Sequence, residues 1–292
     1  MLSYADALDN AGRWGASDVR GTLNHLTVDA RRRAASTVSD AATYSLAREI
    51  SAEPRADQIF GPPLHLVLAP PFAERAGEGG VYDDLGLPIH GFDLTHLDAL
   101  SHTSYEGRFY GGRRAGDARR DLDVRVAGAG ILARALLLDV PAHRGVDRVD
   151  HGRPVLPAEL DRLLESQGLT PLPGDAYLLY TGRGARTAAT RGRATEGHPG
   201  WHVGCLPWLR DHGASVVGCD TVCEYLPSGY GLRIPFHTFG ISAMGLWLID
   251  NMELDRVADR CRRERRYDFA LVVSPLTLAG GTGSPVNPLA VF

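Results

Sequence analysis

The apolar residues of this chain fall into short runs, and that pattern restricts it to a layered fold of strands and helices. Ile131 to Leu138 within Gly128 to Val140, Asp175 to Thr181, Ser215 to Asp220 and Tyr267 to Val273 each read as a buried strand. His65-Leu66-Val67-Leu68-Ala69 reads as another, ended by Pro70-Pro71. Helical spacing fills several gaps. Pro157 to Gln167 carries Leu160, Leu163 and Leu164 on one face, followed by Gly168 as a C-terminal cap. Leu26 to Val38 and Leu254 to Arg263 read as helices, and Trp208 to Gly213 as the end of one. The Arg31-Arg32-Arg33 run is expected on a solvated helix face. No apolar stretch approaches the ~20 residues that cross a bilayer. Strands and helices alternate without a strict βαβ rhythm, so mixed α and β structure is expected.

A chain of 292 residues can bury a substantial core, and with no repeat or low-complexity linker it is expected to form a single domain over residues 1–292. The formal charge of −4 gives no electrostatic footprint for nucleic acid. All 31 basic residues are Arg, which excludes a Schiff-base lysine. Met1 to Asp6 lacks the basic-then-apolar run of a secretion signal, and Cys205, Cys219, Cys223 and Cys261 are irregularly spaced. Reduced, buried thiols in a cytoplasmic protein are the expectation, with Cys219 and Cys223 spaced wrongly for a zinc or redox pair.

Chemistry concentrates in Thr95-His96-Leu97-Asp98-Ala99-Leu100-Ser101-His102. On an extended backbone His96 and Asp98 share a face while Leu97 points to the core. An imidazole nitrogen beside an anionic oxygen suits zinc or manganese, and His102, four residues on, can act as a general acid or base. The same residues also suit a surface loop or a satisfied polar cluster, and spacing alone leaves both readings open. Gly280-Gly281-Thr282-Gly283 lacks the Lys-Ser/Thr of a phosphate loop and reads as a tight turn that lets backbone approach a neighbour. No Gly-x-Ser-x-Gly elbow is present, which disfavours a serine hydrolase.

The segment from Thr95 to His102 resembles the motif His-x-Gly-Thr-His-x-Asp-x-Pro-x-His of the cyclase family, which contains bacterial kynurenine formamidases and isatin hydrolase. Trp14-Gly15 through Gly21-Thr22-Leu23-Asn24, Val217-Gly218-Cys219-Asp220 and Gly280 through Pro288 resemble further signatures of its longer members, in the expected order. The resemblance implies an α/β fold of the swivelling β/β/α type, with a central mixed β-barrel-like sheet flanked by helices. It implies His96 and Asp98 as metal ligands, His102 as the catalytic proton donor and acceptor, and His237 of Pro235-Phe236-His237 as a later ligand. Asp250 stands where the family places a ligand glutamate before asparagine. Phe92 replaces the family's first ligand histidine, so one divalent ion, zinc or manganese, is expected rather than two. His90 is not expected to fold back in its stead.

Trp14, Phe92 and Tyr105 flank the matched segments and are candidate walls of a substrate pocket, or ordinary core. Glu224 follows Asp220 at helical spacing and could add a carboxylate to the site, but an exposed position or a helix start is the expectation. The implied activity is hydrolysis of an amide, cyclic amide, ester or lactone of a small molecule. A metal-dependent lyase, cyclase or dehydratase and a catalytically silent binding protein are the alternatives. A homo-oligomer, dimer or tetramer, is also implied, with no nucleic-acid or membrane partner.

Overall fold

The computed structural model describes residues 2–54, 59–68, 80–190 and 197–292. Its strands are β1 (Thr43–Ser45), β2 (Leu64–Leu68), β3 (Tyr82–Gly86), β4 (His96–Asp98), β5 (Ile131–Asp139), β6 (Ala176–Tyr180), β7 (His198–Pro199), β8 (Val216–Cys219), β9 (Tyr225–Leu226), β10 (Trp247–Asp250), β11 (Asp268–Val273), β12 (Gly283–Pro285) and β13 (Leu289–Val291). Nine of them form one mixed sheet in the order β1-β13-β11-β5-β6-β8-β10-β4-β12. It curls into a half-barrel flanked by helices, which is the expected fold. β2 with β3, and β7 with β9, form separate two-stranded ribbons.

The apolar runs become the middle of this sheet. β5, β6, β8 and β10 run parallel to one another, and all residues of β6, β8 and β10 are buried. Helices cover both faces of a parallel sheet, which is why such strands are continuously rather than alternately apolar. The helix Val28–Ser36 packs on β5 and β11 through Ala30 and Ala34, capped by Thr27, whose side chain accepts from the Ala30 amide. Its arginine run is only partly solvated: Arg32 is exposed, whereas Arg33 reaches the Asp175 carboxylate at 3.4 Å. The helix Pro157–Ser166 buries Leu160, Leu163 and Leu164, and Gly168 follows at φ +67°. All four cysteines are free and buried. The expected strand end at Pro70-Pro71 lies outside the described residues.

Candidate metal centre

Sheet register assembles the site. β4 lies antiparallel between β10 and β12, with Asp250 directly opposite His96 and Gly283 directly opposite Asp98. Directly opposed residues present their side chains on the same face. His96 and Asp98 therefore share a face, as the extended reading requires, and Asp250 joins them from the next strand. Leu97 between them is fully buried. The fourth group, His237, comes from the helix Pro235–Ser242, every residue of which is buried.

The donors converge closely. His96 Nε2 lies 3.4 Å from Asp98 Oδ1 and 3.9 Å from Asp250 Oδ2, and His237 Nε2 lies 3.3 Å from Asp250 Oδ2 and 3.6 Å from Asp98 Oδ2. Four ligands held at ~2.0–2.2 Å around a tetrahedral ion stand roughly 3.3–3.6 Å apart. The spacing fits an ion. The one-methylene-shorter Asp250 still reaches the cluster, braced by the Cys223 amide on its other oxygen at 2.8 Å.

Tautomers sharpen this. His96 Nδ1 is 2.8 Å from the Leu94 carbonyl oxygen, which can only accept, so Nδ1 carries a proton. His237 Nδ1 faces Glu224 Oε2 at 3.1 Å, which fixes the same tautomer. Each neutral ring then aims its Nε2 lone pair at carboxylate oxygens, an arrangement that repels unless a proton or a cation lies between. Asp98 Oδ2 is buried without a hydrogen-bond donor, which fits a role as a ligand to a cation. With the protein's own groups alone, protons take that place. Burial opposes the charged form of His237, but Asp250 and Glu224 outweigh it and raise its pKa well above the ordinary value. Burial likewise opposes protonation of His96, and Asp98 and Asp250 reverse the sign. Asp98 is held well below the usual carboxylate range despite burial, by the neighbouring imidazoles.

His102 is different in character. Burial pushes it down to about 4, against the pull of Asp98, so its ring is neutral at pH 7. It gains its charge only in acid, where Asp98 titrates, and there it is the largest of the influences that hold Asp98 low, followed by the hydrogen bonds of His90 and His96. His90 corrects the sequence expectation. It does fold back: Nδ1 lies 2.9 Å from Asp98 Oδ1, and its ring stacks on His102 at 3.7 Å and 11°. The intervening loop is pinned by Asn251, which donates to the Gly91 and Leu94 carbonyls, and by Arg183, which donates to the Phe92 carbonyl at 2.6 Å.

Glu224 is the second correction. It is fully buried rather than exposed, although the helix-start part of the expectation holds. Its carboxylate accepts from the Phe236 and His237 amides and faces His237 Nδ1. The helical spacing from Asp220 raised Glu224 as a possible carboxylate of the site, but nothing in its distance of 13 residues from His237 pointed to this contact. Of the wall candidates, Phe92 lies at 4.6 Å against His198 and lines a cleft with Leu226, Leu232 and Arg233. Tyr105 packs on Phe239 at 5.0 Å, and Trp14 edge-on to His25 at 5.2 Å.

Residues 84–223 match the family model described as "Putative cyclase". That span contains His96, Asp98 and His102, while His237 and Asp250 lie beyond it. A solved structure described as a novel cyclase is 25% identical, with a TM-score of 0.87 over 98% of this chain and 100% of its own. Isatin hydrolase A from Ralstonia solanacearum is 18% identical, with a TM-score of 0.61 over 85% of this chain and 91% of its own. A predicted metal-dependent hydrolase from Bacillus stearothermophilus is 15% identical, with a TM-score of 0.54 over 86% and 98%. No curated protein matches the chain by sequence. At these identities the last two share the fold with this chain.

Proposed function

We propose, from the match of residues 84–223 to the cyclase family model and the likeness to a solved cyclase structure, that the chain is a cyclase-family, metal-dependent hydrolase of small molecules cleaving an amide, cyclic amide, ester or lactone. The observation that carries this reading is the pair of buried imidazoles whose Nε2 atoms face Asp98 and Asp250 at 3.3–3.9 Å. His96, Asp98, His237 and Asp250 would hold one zinc or manganese ion. Bound there, such an ion acidifies water and polarises a carbonyl oxygen.

The remaining chemistry belongs to the protein. His102, neutral at pH 7, takes a proton from water as its oxygen adds to the carbonyl carbon, and returns it to the nitrogen or oxygen that leaves when the C–N or C–O bond breaks. Burial keeps the imidazole unprotonated at pH 7 and, by lowering its pKa, makes it a weak acceptor whose imidazolium readily gives the proton up to the leaving atom. Glu224 fixes His237, and Phe92 with His198 would wall the entrance. A second copy of the chain would cover Leu66, Val67 and Leu85, which the β2–β3 ribbon leaves exposed.

The test is elemental analysis combined with turnover in labelled water. About one equivalent of zinc or manganese, lost in a His96→Ala, Asp98→Ala double variant, together with solvent oxygen in the product of an amide, ester or lactone panel, supports the reading. Metal-dependent turnover without solvent oxygen would replace it with a lyase. Absence of both metal and turnover would replace it with a binding protein of the same fold.

A further inference from the structure

His90 lies outside the resembled motif, yet it is tied to the site on several sides. Its Nδ1 is 2.9 Å from Asp98 Oδ1 and its Nε2 is 2.9 Å from the Thr282 hydroxyl. One face lies flat on His102 at 3.7 Å, and the ring meets His96 edge-on at 5.3 Å. Space for the ring is built into the C-terminal glycine turn. Gly283 is the residue opposite Asp98 on β12, and a Cβ there would come within 2.7 Å of His90 Cε1. A side chain at residue 283 and an imidazole at residue 90 exclude each other.

Two roles are open to such a ring: ligand of a second ion shared with Asp98 and His102, or support for both. His90, Asp98 and His102 do stand close enough for the first. Ring geometry decides against it. Imidazole lone pairs lie in the ring plane, so two parallel rings 3.7 Å apart send theirs side by side rather than to one point. Both nitrogens of His90 are also engaged: the carboxylate can only accept, so Nδ1–H donates to it, and the Thr282 hydroxyl donates to Nε2.

We infer that His90 is a positioning residue, seated in a socket formed by Thr282 and Gly283, that turns Asp98 so its Oδ2 faces His237 and holds the His102 ring by stacking. The inference rests on the hydrolase reading for its kinetic consequence, but the socket and the metal stoichiometry are measurable without turnover. Asp98 illustrates the effect. With Oδ1 occupied by His90, the carboxylate is left with one unpartnered oxygen, and that oxygen is the one 3.6 Å from His237 Nε2.

The experiment compares the wild-type protein with His90→Phe, His90→Asn and Thr282→Val. His90→Phe keeps a stacking ring and loses both hydrogen bonds. His90→Asn keeps a donor near the Nδ1 position and loses the stack. The metal-to-protein ratio is expected to stay at the wild-type value in all of them. Zinc affinity should fall about 10–100-fold in His90→Phe, the usual consequence of losing a residue that orients a ligand, with partial recovery in His90→Asn. Where the panel yields a substrate, kcat should fall with KM within about twofold, because His102 is displaced while binding groups stay put.

Long-range proton–nitrogen spectra should show His90 as the Nδ1–H tautomer, with Nε2 shifted in Thr282→Val, a variant that also serves if the His90 variants fail to fold. Loss of a whole metal equivalent in His90→Phe would make His90 a ligand and overturn the inference. Unchanged zinc affinity in His90→Phe, or an Nε2–H tautomer in the wild type, would overturn it equally. A wild-type protein without turnover would instead remove the hydrolase reading and leave the spectra to judge the socket.

Discussion

Replacing Glu224 by Gln tests whether the site is held from behind. The side chain is fully buried and serves three donors: the Phe236 amide at 3.1 Å on one oxygen, and the His237 amide at 3.0 Å and Nδ1 at 3.1 Å on the other. Hydrogen bonds to a charged acceptor contribute about 1.5–3 kcal/mol each, which would suggest a large loss. Two facts reduce it. Burial raises the Glu224 pKa in spite of His237 and the amides, so the negative charge is not itself a net gain. Glutamine also keeps one oxygen, which will face the two His237 donors. What remains is one backbone amide, that of Phe236, left opposite an NH2 group, at a cost of about 2 kcal/mol. For a chain of 292 residues that corresponds to about 3 °C in Tm. With a neutral amide oxygen in place of the carboxylate behind Nδ1, the His237 ring becomes a weaker ligand, and zinc affinity should also fall, by about 10-fold. Scanning calorimetry of the metal-free protein and zinc titration measure the two effects. A Tm unchanged within about 1 °C together with unchanged affinity would refute the reasoning that Glu224 orients His237.

Three further outcomes are expected. His102→Ala should keep its full metal complement while losing about 10²–10⁴-fold in kcat, the usual contribution of a general acid–base; near-normal turnover would exclude the proton-transfer role. Zinc binding should release protons and weaken as pH falls, because the raised pKa values of His96 and His237 make protons compete for the Nε2 atoms; calorimetry in buffers of different ionisation enthalpy would detect the release. Stability should also fall in acid through His25, whose pKa burial and Arg13 lower to about 4 from 6.5. The unfolded chain binds more protons between those values, so this contribution is intact above pH 6.5 and lost progressively towards pH 4. Discounted for the partial exposure of the ring, it amounts to about 1.5 kcal/mol. Urea unfolding of wild type and His25→Asn at pH 7 and pH 4.5 should show a smaller acid loss in the variant.

The local features of this protein were legible in its sequence because short-range physics sets them. Apolar runs such as Ala176–Tyr180 and Val216–Cys219 had to be buried strands, and Leu160, Leu163 and Leu164 had to share a helix face. The two-residue period of an extended chain placed His96 beside Asp98 wherever β4 ended up. The glycine turn at 280–283 was readable as a close approach, though not what it approached. The family resemblance supplied His237 and Asp250 as candidates, but not their distances. Only the tertiary structure decided which groups meet. Asp250 faces His96 because of the β10–β4 register, Glu224 reaches His237 through a bend of the chain, and His90 returns over His102 because Asn251 and Arg183 pin its loop. These contacts depend on strand pairing and loop closure between segments up to 192 residues apart, as between His90 and Thr282. No local periodicity encodes such pairings, since each is chosen by the packing of the whole sheet.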